Sequence, residues 1–184
     1  MEDRRYFVDV FGAIVDRVQE LYDTVDQEKP YYLYGHYLDV LNILTEKDQS
    51  QTYKYKKYPL IILVQDFNEN HGDNITYAYN LPEIRVIITD LTKSTYHADQ
   101  RYTNVFKPIL YPIYRYLLVA MDESLDIDAK DIDQIQHTKI DRVFWGTETA
   151  FGSDSSVLND YLDAIDLTFS NINVFKTSDC IYNT

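Results

Sequence analysis

The chain has 184 residues, a length that suits one compact domain over 1–184. Apolar residues make up 45% and charged residues 26%, enough for a real core and too ordinary a balance for general disorder. Thirty acidic side chains against 17 basic ones give a net charge of −13. A free nucleic-acid binder needs a basic face to neutralise phosphates, and this chain is the reverse.

Cys180 is the one cysteine, so a disulfide-stapled scaffold is excluded. Met1-Glu2-Asp3-Arg4-Arg5 leads into an amphipathic pattern, and no apolar run approaches the roughly 20 residues needed to span a bilayer. These features predict a protein folded in a reducing cytosol, with no membrane contact. The unusual component is tyrosine, with 18 copies. A large ring with a polar tip suits half-wet contacts between proteins, although compositional bias gives the same count.

In chain order, Phe7, Phe11, Ile14, Val18, Leu21 and Val25 recur at helical spacing, which predicts a core-packing helix over 3–25. Tyr31 to Tyr34 followed by Gly35 predicts a short extended piece and a turn. A second helix follows from His36 to Lys47, carrying Leu38, Leu41 and Leu44 on one face, and residues 48–51 are a polar break. Leu60-Ile61-Ile62-Leu63-Val64 is a continuous β-branched and aliphatic run, the pattern of a strand covered on both faces, with Pro59 admissible only at its start. Residues 68–74 read as a loop. Residues 75–79 alternate weakly, as in an edge strand, and Leu81-Pro82 is expected to break it. Ile84 to Thr89 predicts a second strong strand.

Residues 99–121 are again helical in period, with Tyr102, Val105, Phe106, Leu110, Ile113, Leu117 and Ala120 on the apolar stripe. Pro108 and Pro112 lie inside it. Each removes a backbone donor and crowds the carbonyl four residues back, so a kink is expected, or two helices with a break near Lys107-Pro108. Residues 122–133 are acidic and predict a loop. Residues 139–145 predict a strand, 146–156 a Gly/Ser/Thr-rich mobile segment, and 161–175 a final strand or hairpin. Helices, strands, helix, strands is the order of an α+β fold: a small, mostly antiparallel sheet with helices packed on one face.

No phosphate-binding glycine loop, nucleophile elbow or zinc-protease motif occurs. His36, His71, His97 and His137 are isolated in sequence, and His97 with Asp99 falls short of the three or four ligands a metal needs. The run Asp126, Asp128, Asp131 and Asp133 resembles a calcium loop only superficially. An EF-hand wants Gly at its sixth position and Glu at its twelfth, and these hold Asp131 and His137. The run reads as a solvated acidic loop. Tyr53-Lys54-Tyr55-Lys56-Lys57-Tyr58 interleaves bases with aromatics. Such a pattern can clamp single-stranded nucleic acid, but three lysines in an acidic chain favour a protein–protein sheet edge. No catalytic, cofactor-binding or metal-binding set is assigned.

The order of several short motifs carries a resemblance. Tyr34-Gly35-His36 enters a helix; Lys57-Tyr58-Pro59-Leu60-Ile61 leads to Asp66-Phe67 and Glu69. Ile84-Arg85-Val86-Ile87-Ile88-Thr89 precedes Arg101 and Phe106-Lys107-Pro108-Ile109-Leu110-Tyr111-Pro112-Ile113-Tyr114. Asp163-Ala164-Ile165-Asp166-Leu167 closes the series. Across about residues 5–175 this resembles the small head-to-tail connector and tail-terminator (neck ring) proteins of tailed bacteriophages. The resemblance implies a non-catalytic α+β subunit, made in the host cytoplasm and residing in the virion neck or tail. It implies a homo-oligomeric ring that meets portal-side, neck or tail proteins, and DNA passing through without specific binding. Tyr53, Lys54, Tyr55, Lys56 and Lys57 are then candidates for the contact between subunits, and Asp126, Asp128, Asp131 and Asp133 for a channel-facing acidic loop that repels phosphates. The competing readings are a cytosolic protein-binding module that uses its tyrosines, and an enzyme with an irregular acidic metal site.

Overall fold

A computed structural model describes residues 6–22, 28–49, 57–72, 76–129, 135–143 and 160–176. The first described helix, α1 (Phe7–Leu21), buries Phe7, Phe11, Ile14 and Val18 of the predicted stripe together with Val10 and Val15, while Leu21 is only half-buried and Val25 lies outside the described residues. Strand β1 (Tyr31–Gly35), helix α2 (Tyr37–Gln49) and strand β2 (Leu60–Val64) follow. β1 and β2 pair in parallel, so α2 is the crossover of a βαβ unit. At the turn from β1 into α2, Gly35 has φ +148, a backbone setting that side-chain-bearing residues rarely adopt.

The rest of the sheet is antiparallel. Strand β3 (Tyr77–Leu91) pairs with β2 on one side and with β6 (Leu162–Phe175) on the other. Two shorter strands, β4 (Ile127–Ala129) and β5 (Gln136–Val143), both pair with the far side of β6. The order is β1-β2-β3-β6-β4, with β5 also on β6. The α+β class with a mostly antiparallel sheet is therefore as the sequence predicts, but the helices pack on both faces rather than one, because α2, as the crossover between β1 and β2, lies opposite α1 and the helix Tyr111–Glu123.

β3 corrects one expectation. Pro82 does not end a strand; it sits inside a 15-residue one. β2 flanks only Val86 to Thr89, so Pro82 lies where that side of β3 has no full partner strand. The residue across from it on β6 is Asn171, with φ +57, a left-handed setting that Asn tolerates better than most side chains. Pairing is interrupted at this pair and holds register on both sides, at Leu81↔Ile172 and Glu83↔Ser170. A missing donor is thus accommodated where the ladder is already open.

The proline-bearing helix corrects a second. It is continuous in helical structure from Ala98 to Glu123, with no break at Lys107-Pro108. A short α-helix, α3 (Ala98–Arg101), passes into a nine-residue π-helical stretch (Tyr102–Leu110), then into α4 (Tyr111–Glu123). In the wider π turn the carbonyl four residues before Pro108 is no longer the one in line with its ring, which relieves the usual clash. The N–H of Tyr111 reaches the carbonyl of Phe106, five residues back. Pro112 is the second residue of α4, and because the helix runs on from the π stretch, its missing N–H leaves a carbonyl of the preceding turn without its helical donor.

Two apolar clusters cover the sheet. α1, the π stretch and α4 lie on one face, over Ile61, Leu63, Ile84, Val86, Ile88, Ile165, Leu167 and Phe169. On the other face α2 lays Val40, Leu41 and Leu44 over Leu60, Ile62, Ile87, Leu162 and Ala164. β2 is buried along its whole length, as its unbroken apolar run requires. Past α2, this second face is polar and open, with Glu83, Arg85, Thr168 and Ser170 exposed. Arg85 and Asp166 form a bidentate pair there across β3 and β6.

Candidate functional site

The residues singled out in sequence do not gather into one site. Tyr53, Lys54, Tyr55 and Lys56 lie outside the described residues, as do Asp131, Asp133 and the segment 146–156. Lys57 is described, and its side chain is committed within the subunit. It is 3% exposed, and its Nζ lies 2.9 Å from Asp160 Oδ2. The Tyr58 hydroxyl donates to the same carboxylate oxygen at 3.2 Å. Lys57 is thus a tie between the start of β2 and the start of β6.

The acidic loop is likewise not one solvated loop. Ile127–Ala129 is strand β4, paired to β6, and Asp128 accepts a 2.8 Å hydrogen bond from the Tyr77 hydroxyl. The Asp126 carbonyl accepts from the Phe175 N–H at 2.9 Å. Both side chains are only half exposed. Among the histidines, His71 lies 3.3 Å from Glu69, the His137 ring lies tilted against the Tyr114 ring, and the backbone N–H of His97 is held by Gln100. Among the described residues no three His, Cys, Asp or Glu side chains converge as a metal set.

The most tightly built polar cluster is one that local sequence pattern does not reveal. Arg101, at the end of α3, and Asp163, on β6, are both fully buried and meet at 2.7 Å. The guanidinium also donates to the Tyr96 and Lys93 carbonyls and to the Thr92 hydroxyl. A buried guanidinium needs such partners, because the desolvation cost exceeds what one ion pair returns. Arg101 therefore wraps segment 92–97 around itself and fixes the start of the long helix on the sheet. Asp90 stands across from Asp163 on β3, also turned toward the helix layer. Burial holds its carboxyl up at about 7, and Glu28 and Asp163 add repulsion against a stabilising bond from the Leu91 backbone. Tyr22, buried at the end of α1, is pushed up to about 12 by burial, by Asp90 and by Tyr116.

A shallow groove of about 580 Å³ opens beyond the carboxyl ends of β1 and β2, lined by His36, Gln65, Asp66, Phe67 and Asn68. It is a wide, mostly polar depression, and no group in it converges on one point.

The sheet's two ends differ in kind. Among the described residues β1 has no strand on its outer side, and it carries Tyr31, Tyr32, Leu33 and Tyr34, all half-buried. It is held stiffly: the Tyr32 hydroxyl donates to the Val8 carbonyl and its ring lies against Phe11, while Lys47 sits over the Tyr31 ring. Lys29 and Pro30, residues of the kind that protect exposed edges, stand at its entry, and among the described residues no lysine or proline lies within Tyr31–Gly35 itself. At the other end, β5 exposes Gln136, His137, Thr138 and Lys139, and the Lys139 ammonium lies 4.1 Å from the centre of the Phe106 ring. Neither family models, nor curated proteins, nor solved structures match this chain.

Proposed function

We propose that the protein is a non-catalytic structural subunit that closes into a homomeric ring, and that its place is the neck or tail top of a tailed bacteriophage. The observation that carries the ring reading is the pair of unlike sheet ends, β1 and β5, on whose outer sides no strand lies among the described residues. A closed ring needs heterologous contacts, in which one surface of a subunit meets a different surface of the next. An isologous dimer needs only one self-complementary patch. The phage assignment rests on the motif resemblance, whose residues Leu60-Ile61, Ile84 to Thr89 and Phe106 to Tyr114 occupy core strands and the long helix of an α+β subunit.

The net charge of −13 sets a further condition. Copies repel one another at low salt, and a Debye length of about 10 Å at 0.1 M screens that repulsion. Sedimentation velocity over a concentration series, at low and at near-physiological salt, tests the reading. Discrete closed species that grow with salt, with a central hole in negative-stain images, are the expected result. A monomer under every condition, including with purified phage neck or tail proteins added, would overturn it.

A further inference from the structure

We infer that ring closure pairs β1 of one subunit with β5 of the next, antiparallel, so that the sheets run on from copy to copy. The inference deepens the ring reading and rests on it.

Strand direction supplies the first argument. β1 and β2 run together, β3 opposes them, β6 opposes β3, and β5 opposes β6. β5 therefore runs opposite to β1. A rotation axis lying along the strands preserves these directions from copy to copy. It brings the next subunit's β5 beside β1 in the antiparallel sense and keeps both helix layers on the same side of the joined sheet. Antiparallel addition at an open edge uses main-chain bonds for affinity and alternate side chains for selection.

Charge supplies the second. On the α1 side of β1 the acid is Asp9, which raises the Tyr32 hydroxyl in addition to the larger effect of burial; on the α2 side Glu28 near Tyr31 is offset by Lys47 over the Tyr31 ring. β5 carries His137 and Lys139 on its helix-facing side, opposite Leu167 and Ile165 of β6. Pairing β1 with a second β1 would bring Asp9 of both copies to the same face, whereas β5 brings Lys139 to that face. Opposite charges across a strand pair stabilise, and like charges destabilise.

Side-chain parity supplies the third. Tyr32 and Tyr34 pack with the helix-layer cluster, and Tyr31 and Leu33 with the α2 cluster. On β5, His137 and Lys139 are on the helix side, so Thr138 shares the α2 side with Leu33. The joined sheet therefore continues Tyr32 and Tyr34 into His137 and Lys139 on one face.

The test uses the full chain with Cys180→Ser as background and two single-cysteine proteins, Leu33→Cys and Thr138→Cys, each checked for wild-type circular dichroism. Tyr31→Cys replaces Leu33→Cys if the latter fails to fold. Each is treated with a short bis-maleimide, alone and in an equimolar mixture, at a concentration where the wild type is assembled. Cross-linked dimers containing one copy of each variant, at least tenfold more abundant in the mixture than in either protein alone, are expected. A cysteine pair placed in both β1 and β5 of one chain should then give a ladder up to the closed ring. Dimers from the β1 variant alone would overturn the proposal in favour of isologous edge pairing. Absence of cross-links while native mass still reports a ring would overturn this contact and leave the ring reading standing. Absence of any assembled species would remove both.

Discussion

Arg101 and Asp163, 62 residues apart and both fully withdrawn from solvent, meet at 2.7 Å and tie the root of the longest helix to the central sheet. Replacing either partner alone strands a buried charge. Arg101→Met is expected to destabilise by about 3–5 kcal/mol, as broken buried pairs do. The double replacement Arg101→Met with Asp163→Leu should cost clearly less than the sum of the two single changes. Urea unfolding of the four proteins measures this, and strict additivity would refute the coupling.

Asp90 gives a pH dependence of known sign. Its folded value of about 7 lies above its usual 3.8. The folded state therefore binds the extra proton between those values. The associated stability is fully present below about 4 and is lost as pH rises through about 7, a change on the order of 4 kcal/mol if the whole displacement is realised. Asp90→Asn should flatten the stability profile between pH 4 and pH 8 and raise stability at pH 8. Thermal denaturation at steps of pH reads both, and an unchanged slope in the variant would show that another group governs it.

Pro108 lies in a stretch already widened to suit it. Relieving a proline in an ordinary helix interior is worth about 3 kcal/mol. Pro108→Ala should gain well under that, because the packing of Val105, Phe106 and Leu110 is matched to the π geometry. Hydrogen exchange followed by NMR should show one additional protected amide at position 108. A gain of about 3 kcal/mol or more would mean that the proline is strained rather than accommodated.

Lys57 separates folding from assembly. Its ammonium is buried against Asp160, so Lys57→Met should lower stability by roughly 1–3 kcal/mol while leaving the association constant of folded protein within about twofold. Denaturation and sedimentation of the same preparation decide it. A large loss of association with unchanged stability would return Lys57 to the subunit contact.

Much of the architecture was legible in sequence for physical reasons. The α1 stripe repeats at helical period, and Leu60 to Val64 is apolar without interruption because both its faces are covered. The failures share a cause. Pro82 looked like a stop because local rules cannot tell that β2 leaves that side of β3 open. The prolines at 108 and 112 predicted a kink or a break, and the π stretch that holds Pro108 was not foreseen because a π turn has no distinct period over so short a span. Asp128 looked like part of a solvated loop because its partner, Tyr77, is 51 residues away. The Arg101–Asp163 clamp was invisible for the same reason, although both residues stood in the motif series. The outer sides of β1 and β5 follow from strand order, which pattern alone does not give.

The pairing of β3 with β6 also dictates when the fold can form. Residues 77–91 find their partners in 162–175, so the centre of the sheet stays incomplete until the last of the described strands has left the ribosome. Until then β1, β2 and β3 can pair among themselves, but Ile84, Val86 and Ile88 line a sheet whose open side is the middle of the finished one. Such long-range closure is slow and leaves strand edges exposed during synthesis. Nascent chains stalled before residue 160 should therefore be protease-sensitive and prone to associate through β3, whereas chains extended past residue 176 beyond the exit tunnel should become resistant together, along the whole ribbon.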